Sequence, residues 1–416
     1  MPARPRLALL AAPVYSRRTM NTWHLAANYR FAGVPAGLRP REPDRLDVAL
    51  VVSDVPATAA GVFTQNRVCA APVHICRQRL PSNQVRGVVI CSGNANACTG
   101  QRGLDDARRM TAVAAQAVGC QSEQMLVCST GVIGRHLPME HIEAGIRAAA
   151  GQLGPDNLAL ERAARAILTT DTTIKVRTRV LSLPGGEVRL TGFCKGAAMI
   201  GPNMATMLAF VLSDAAVAPA DVAAIAGRAA DQSFNCISVE GHTSTNDTLL
   251  LLANGRGTPL TAASLTKFEA GVTEVCGELA RAIAADAEGA THLVQVEVTG
   301  TRDDAEARRI AKAVAESALV KTALFGADPN WGRIVSAAGY AGVMFEEREL
   351  SLWLGEALLY QAGTPVPFDA AALSAFMKQQ RELRLHLQFT LGGGRCSFWT
   401  CDLTYDYVRL NADYTT

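Results

Sequence analysis

Residues 195–210 read KGAAMIGPNMATMLAF, a stretch of small and apolar residues with two glycines and one proline that holds a single hydroxyl group, on Thr206. An apolar run precedes it, EVRLTGFC, and another overlaps its end, MLAFVLSDAAV. Each run predicts a β-strand, so the stretch forms a tight connection between two strands. The hydroxyl has an ordinary interpretation, because a buried threonine usually makes only a local hydrogen bond.

The neighbours of Thr206 favour a chemical role instead. The small Ala205 and the glycine-rich turn would let the Thr206 hydroxyl attack the Ala205 carbonyl, which converts the peptide into an ester that water can open. Thr206 would then carry a free α-amine, with a reference pKa of about 7.7–8, that can activate its own hydroxyl. One residue thereby supplies nucleophile and base. The sequence therefore predicts self-cleavage before Thr206 and acyl transfer through it.

The rest of the chain alternates strand-like runs with amphipathic helices, which is typical of an α/β fold. Further strands are predicted at DVALVVSDV, GVVICSG, QMLVCST, TLLLLAN and LVQVEVTG. Helices are predicted at about 105–118, from about Met139, in two further segments before EVRLTGFC, in APADVAAIAGRAADQSF, and at about 262–285 and 304–324. The runs LRLHLQF and CSFWTCDLTYDYV flank a glycine turn and predict a hairpin. We therefore expect a layered α/β sandwich.

Composition indicates a globular protein and argues against several partners. With 416 residues, 49% of them hydrophobic and 19% charged, the chain can bury a large core. Its 40 basic and 38 acidic residues are spread along the chain, so nucleic acid is not an expected partner. Apolar runs fall short of the roughly 18 residues of a membrane span, so no membrane is expected either.

The cysteines and the N-terminus indicate the compartment. Eleven cysteines are scattered singly, without a C-x-x-C pair or a Cys/His cluster, which predicts reduced thiols, a cytoplasmic protein and no metal site. Near the start, LALLAAPV is short for a signal peptide. We expect residues 1–25 to be a poorly ordered extension, and Met20 is an alternative start.

Several blocks of the chain resemble the ornithine acetyltransferases, also called the glutamate N-acetyltransferases of arginine biosynthesis. KGAAMIGPNMATMLAF is similar to the self-processing signature of that family. From about residue 30 to the C-terminus, more blocks of the family follow in the same order: GVFTQNRVCAAPV, CSGNANACTG, CSTGVIG, TTDT, VEGHTSTNDTLLLLANG, DAEGATH, FGADPNWGRI and YVRLNADYTT.

The resemblance implies a fold, an activity and an assembly. The fold would be the layered sandwich of a self-processed N-terminal nucleophile enzyme. Cleavage between Ala205 and Thr206 would give an α chain of residues 26–205 and a β chain of residues 206–416, which assemble as two of each. Thr206 would take the acetyl group from N-acetylornithine and pass it to glutamate in ping-pong order. The resemblance implies no cofactor, and it leaves open whether acetyl-coenzyme A is a second donor.

The same matching assigns roles to individual residues. Thr130 and Gly131 of CSTGVIG correspond to the oxyanion hole, which a hydroxyl and a backbone N–H can form. Substrate contacts fall on Thr172, Lys195, Thr206, Glu288, Asn411 and Thr416. We expect the Lys195 ammonium to pair with a substrate α-carboxylate, and the Glu288 carboxylate to pair with the ammonium of ornithine.

Some questions stay open at this point. A threonine amidase or aminopeptidase would use the same nucleophile with water as acceptor, and an unprocessed chain would be only a binding protein. The polar blocks at residues 93–98 and 243–247 either line the site or shape loops. Ala197, Ala198 and His292 depart from the family pattern, and two extra methyl groups near the turn narrow its backbone freedom.

Overall fold

The computed structural model describes residues 22–39, 42–201 and 207–413. Three of the predicted site residues, Ala205, Thr206 and Thr416, lie outside these ranges, as does most of the predicted N-terminal extension. Within the same ranges, every helix is too short or too polar to cross a membrane.

The described residues form two mixed β-sheets. Their strands are β1 (Tyr29–Val34), β2 (Val48–Phe63), β3 (Ser82–Asn94), β4 (Met125–Val132), β5 (Lys175–Leu183), β6 (Gly186–Lys195), β7 (Leu208–Ser213), β8 (Thr248–Ala253), β9 (Leu293–Thr301), β10 (Leu350–Leu354), β11 (Ala357–Gln361), β12 (Thr364–Pro365), β13 (Glu382–Phe389) and β14 (Gly394–Cys401).

Helices cover both sheets. They are α1 (Ala71–Arg79), α2 (Gly100–Val118), α3 (Met139–Ala150), α4 (Asn157–Ala166), α5 (Pro219–Gln232), α6 (Ala262–Ala285), α7 (Asp304–Glu316), α8 (Ala318–Phe325), α9 (Trp331–Gly339), α10 (Ala370–Gln379) and α11 (Tyr405–Asp413). The bounds of α6 are those that the sequence predicts.

The larger sheet has the strand order β4-β3-β2-β8-β7-β6-β5, with β1 paired to β2. Strand β7 lies near its middle, antiparallel to β6 and parallel to β8. Phe210 faces a core shared with α2, α3 and α4, whereas Val211 faces a core shared with α5 and α6. All of β7 is buried, as expected for a strand covered on both faces. This helix–sheet–helix layering confirms the predicted α/β sandwich.

The smaller sheet has the order β12-β11-β10-β13-β9-β14. Its own core packs Val296 and Leu385 of the sheet against Ile310 of α7 and Ile334 of α9. Helix α6 also contacts β14, and Cys401 at the end of β14 belongs to the core of the larger sheet. The two sheets are therefore joined through packed side chains.

The predicted C-terminal hairpin is wrong. Strands β13 and β14 do not pair with each other, because β9 lies between them, parallel to β13 and antiparallel to β14. The second predicted strand also ends earlier, at Cys401, and α11 follows it. Thr404 starts this helix, since its hydroxyl accepts the N–H of Tyr407 at 3.1 Å.

Two helix predictions also need correction. Two further helical segments are predicted before EVRLTGFC, but between α3 and β6 the structure has one helix, α4, followed by strand β5, which pairs with β6. The predicted helix over 304–324 is two helices, because the Ser317 hydroxyl accepts the Val320 N–H and caps the start of α8.

Candidate active site

A cavity of about 250 Å³ lies between the ends of β4 and β6 and the segment that precedes β8. Its wall contains five of the residues that the sequence singles out: Thr130, Gly131, Lys195, Glu288 and Asn411. These residues are far apart in the chain, so the fold is what brings them together.

Lys195, the last residue of β6, supplies a buried cation to this cavity. Its side chain is almost fully buried, and its Nζ donates to the Thr169 hydroxyl at 3.4 Å. Burial lowers the pKa of the Lys195 ammonium, and the nearby carboxylates of Asp171 and Asp247 oppose that shift. The two acids therefore favour the charged form, which recognition of a carboxylate ligand requires.

Thr130 and Gly131 lie at the end of β4, where the strand runs beside β3. Gly131 has φ of +133°, a region that favours glycine. A Cβ at this position would lie 2.3 Å from the carbonyl carbon of Gly93, so only glycine fits so close to the neighbouring strand. The backbone of Gly131 is thus held in one place at the cavity wall.

The polar blocks at residues 93–98 and 243–247 both line the cavity and shape its loops. Ala95 and Asn246 are in the cavity wall. The Asn246 amide donates from Nδ2 to the carbonyl of Ala95 at 2.7 Å and to that of Ser129 at 2.8 Å. This buried side chain ties the segment before β8 to the residue preceding Thr130.

Thr172 does not line the cavity in this structure. Its hydroxyl and its N–H both donate to the carboxylate of Asp286, which also accepts from Lys175 at 2.6 Å. Thr169 and Thr170 of the same TTDT block line the cavity instead. Thr172 therefore fixes the segment that leads to Glu288, two residues after Asp286.

Glu288 and Asn411 meet at one side of the cavity. Asn411 donates from Nδ2 to Oε2 of Glu288 at 3.1 Å, and the Glu288 N–H donates to the Ala197 carbonyl at 3.0 Å. Asn411 lies on α11. Gly289 permits the contact, because a Cβ there would lie 2.6 Å from the Tyr407 nitrogen.

Of the departures from the family pattern, two lie at the site. Ala198 is in the cavity wall, and Ala197 is buried beneath it. His292 lies outside this cavity, where Nδ1 is 3.1 Å from the Asp402 carboxylate. The hydrogen bond with Asp402 raises the pKa of His292.

Comparison with known proteins identifies the family. The model of the ArgJ family matches residues 30–416. The chain belongs to the ArgJ family. The Arginine biosynthesis bifunctional protein ArgJ 1 of Nostoc sp. is 47% identical over 401 residues, which cover 93% of this chain and 96% of that protein. The ArgJ protein of Geobacter sulfurreducens is 46% identical over 392 residues, covering 93% and 99%.

Two solved structures are also similar to parts of this ArgJ-family chain. The ArgJ protein of Bacillus halodurans is 37% identical, with a TM-score of 0.48, and the match covers 49% of this chain and 98% of that one. The ornithine acetyltransferase of Mycobacterium tuberculosis, complexed with ornithine, is 34% identical with a TM-score of 0.40, covering 44% and 94%. Family membership confirms the predicted acyltransferase of arginine biosynthesis. The roles of single residues stay predictions.

Two acids of the ArgJ site are missed by sequence reasoning. Asp247 is fully buried, and its Oδ1 accepts the N–H of Met207, the residue bonded to Thr206, at 3.0 Å. Burial raises the pKa of Asp247 well above its usual range. Glu240 lines the cavity, and burial raises its pKa to about 7. Both belong to the family-like block VEGHTSTNDTLLLLANG, but only the fold shows their burial.

Proposed function

We propose that this chain is a glutamate N-acetyltransferase that matures by cleavage between Ala205 and Thr206 and then carries the acetyl group on Thr206. The observation that carries the proposal is the cavity that gathers Thr130, Gly131, Lys195 and Glu288. Leu208, two residues after Thr206, pairs with Lys195 across β6 and β7. The start of β7 is thus next to the cavity.

The sheet also supports maturation by cleavage. Strands β1 to β6 precede the cleavage point, and β7 and β8 follow it, yet all eight belong to the larger sheet. Strand β7 forms ladders with β6 and β8, and every residue in those ladders lies outside the peptide bond to be cut. Cleavage therefore leaves an α chain and a β chain that stay together, and we propose that two of each form the mature enzyme.

The donor half-reaction uses groups of the protein alone. The Thr206 amine takes the proton of its own hydroxyl, and Oγ attacks the acetyl carbonyl of N-acetylornithine. The Thr130 hydroxyl and the Gly131 N–H stabilise the negative charge on the carbonyl oxygen. The amide C–N bond then breaks, ornithine leaves with the proton, and the acetyl group stays as an ester on Thr206.

The acceptor half-reaction reverses these steps with another amine. The α-amine of glutamate attacks the ester carbonyl, and the same two donors hold the oxyanion. The C–O bond to Thr206 breaks, and N-acetylglutamate leaves. Both substrates carry an α-carboxylate, which we assign to the Lys195 ammonium, while Glu288 pairs with the side-chain ammonium of ornithine. Acetyl-coenzyme A stays a possible second donor.

Replacing Gly131 with alanine is expected to lower acetyl transfer by about 10²–10³-fold, because the N–H of residue 131 moves away from the oxyanion. The matched control is Gly134→Ala, just after the end of β4, which also has a positive φ, of +80°, but no atom within 4 Å of an added Cβ. Steady-state rates with N-acetylornithine and glutamate measure the difference. Equal activity of the two variants would remove the assignment of Gly131.

Replacing Lys195 with methionine is expected to raise KM for both substrates about 10–100-fold, because one charge-assisted hydrogen bond contributes about 1.5–3 kcal/mol. The control is Lys267→Met, because Lys267 lies outside the cavity wall and its Nζ donates to the carbonyl of Ser182. Unchanged affinity of the Lys195 variant for both substrates would show that another group binds their carboxylates.

The dependence on acceptor tests the whole proposal. Purified protein is incubated with N-acetylornithine, with or without glutamate, and both ornithine and N-acetylglutamate are measured. Sustained release of ornithine is expected only when glutamate is present. Equal release without glutamate indicates an amidase, and a single full-length band on a denaturing gel with no release indicates a binding protein.

A further inference from the structure

Glu240 is held at the cavity wall by backbone contacts of its own segment. The N–H groups of Val239, Glu240 and Gly241 all point to the carbonyl of Ile200, at 2.8, 3.3 and 3.1 Å. The position of Glu240 is therefore fixed relative to Ile200, which lies in the connection between β6 and β7. Sequence analysis assigns this residue no role, and the mechanism above does not use it.

The carboxylate of Glu240 is shielded from solvent and lacks a strong partner. Neither of its oxygens has a hydrogen-bond partner within the described ranges. Burial raises its pKa to about 7, although the nearby backbone N–H groups of Ile200, His242 and Met199 act in the other direction. An acid of this kind exchanges a proton easily near neutral pH.

The charged and titratable groups around Glu240 come from several elements: Lys321 of α8, Cys401 of β14, Tyr407 of α11, Glu316 of α7 beside Gly241, and His242 on its own segment. Lys321 forms no ion pair with it, because its Nζ donates to Thr400 and to the Cys401 carbonyl. The Lys321 ammonium therefore already has other hydrogen-bond partners.

Glu288 offers a contrast within the same cavity. Burial raises the pKa of Tyr407 to about 12, and the negative charges of Glu240 and Glu288 add to that shift, so both carboxyls lie near this side chain. Glu288 accepts a hydrogen bond from the Asn411 side chain, whereas the described residues give Glu240 no hydrogen bond of normal geometry and only the weaker influence of the backbone N–H groups of Ile200, His242 and Met199. Two carboxyls in unlike environments at one site are suited to different roles.

We propose that Glu240 is the proton carrier for the substrate amines, taking a proton from the acceptor's ammonium and returning one to the departing amine. The proposal rests on the acetyl transfer proposed above. In the donor half-reaction, ornithine leaves as a neutral α-amine, and the Glu240 carboxyl protonates it to the ammonium. The resulting carboxylate then takes one proton from the α-ammonium of glutamate, which frees the nitrogen lone pair.

The remaining bonds balance without another reagent. The neutral α-amine of glutamate forms the new N–C bond to the acetyl carbon as the C–O bond to Thr206 breaks. Its second proton passes through the Thr206 amine to the threonine oxygen, and the product keeps the third as its amide N–H. Glu240 ends the cycle protonated, as it began. The cavity thereby serves two amines that are charged in water but must react uncharged.

The test uses the full-length protein with Glu240→Gln, Glu240→Asp and the control Glu316→Gln, an acid that bonds Ser238 and is absent from the cavity wall. A denaturing gel first shows maturation. Acetyl-enzyme is then formed with N-acetylornithine, and its rate of transfer to glutamate is compared with transfer to hydroxylamine between pH 5.5 and 9. Hydroxylamine is already unprotonated near neutral pH and needs no base.

We expect Glu240→Gln to slow transfer to glutamate by about 10²–10⁴-fold while transfer to hydroxylamine stays close to the wild-type rate. In the wild-type protein, the rate of transfer to glutamate should fall below about pH 7 as Glu240 is protonated. Glu240→Gln should lack this part of the pH dependence. Glu240→Asp should restore part of the rate, and Glu316→Gln should keep the wild-type profile. If Glu240→Gln does not mature, the wild-type protein and Glu240→Asp still test the proposal. It is overturned if the wild-type rate of transfer to glutamate does not fall near pH 7, or if Glu240→Asp leaves the pH of that fall unchanged.

Equal slowing of both acceptors by Glu240→Gln would show a structural role and overturn the proposal. A wild-type rate and pH profile in that variant would do the same. If the wild-type protein itself transfers no acetyl group from N-acetylornithine to glutamate, the proposed function fails, and the result is distinct from either outcome for Glu240.

Discussion

Replacing Thr206 with alanine is expected to abolish both maturation and acetyl transfer. The variant has no hydroxyl to attack the Ala205 carbonyl, so a denaturing gel should show one band at the full 44.0 kDa. It also has no group to hold the acetyl ester, so transfer should fall by roughly 10⁴–10⁶-fold, as for loss of other catalytic nucleophiles. Rates with N-acetylornithine and glutamate measure the second effect.

Thr206→Ser is the matched control for this prediction. Serine keeps both the hydroxyl and, after cleavage, the α-amine, so this variant should still give two pieces, each about half of the chain. It should also retain measurable transfer. An alanine variant that matures and transfers acetyl groups as fast as the serine variant would place the nucleophile elsewhere.

The second large effect is on stability and concerns Lys175 of β5. Its Nζ lies 2.7 Å from Oδ1 of Asp171 and 2.6 Å from Oδ2 of Asp286, and all three side chains are buried. Asp171 also accepts the N–H of Gly196 at 2.6 Å, next to Lys195. Lys175→Met leaves two buried carboxylates without this cation, so the free energy of unfolding should fall by about 3–5 kcal/mol.

Urea denaturation followed by circular dichroism measures this change, with Lys267→Met as an exposed control that should shift the free energy by less than about 0.5 kcal/mol. Burial acts to raise the pKa of Asp171, but Lys175 and Lys195 hold it below its usual value. Its contribution to stability is therefore present above the unfolded pKa and is lost as pH falls through the folded one. The deficit of Lys175→Met should shrink in acid, and a deficit independent of pH would contradict this account.

The sequence predicts the elements of this fold better than their partners. Helix α6 begins and ends where its apolar period does. The C-terminal hairpin fails because alternation with period two shows which side chains face a core, not which strand lies alongside. Strand β9 comes some 80 residues before β13, yet it lies between β13 and β14. Strand β5 is missed because its arginines make its local sequence a weak strand signal. Its ladder with β6 stabilises the strand nevertheless.

The site residues can likewise be predicted from the sequence better than their contacts. Thr130, Gly131, Lys195, Glu288 and Asn411 come from blocks that the sequence matches to a family, and they do meet at one cavity. Thr172 instead binds Asp286, a contact between residues 114 positions apart that no local pattern contains. Glu240 and Asp247 were missed for a similar reason, because burial depends on the packing of distant elements.

The most direct measurement is N-terminal sequencing of the purified, active protein. The account predicts two starting sequences, one from the N-terminal piece and a second that reads T-M-L-A-F, beginning at Thr206. Active protein that transfers acetyl groups but never shows this second start would contradict the claim that a threonine freed by backbone cleavage is the nucleophile.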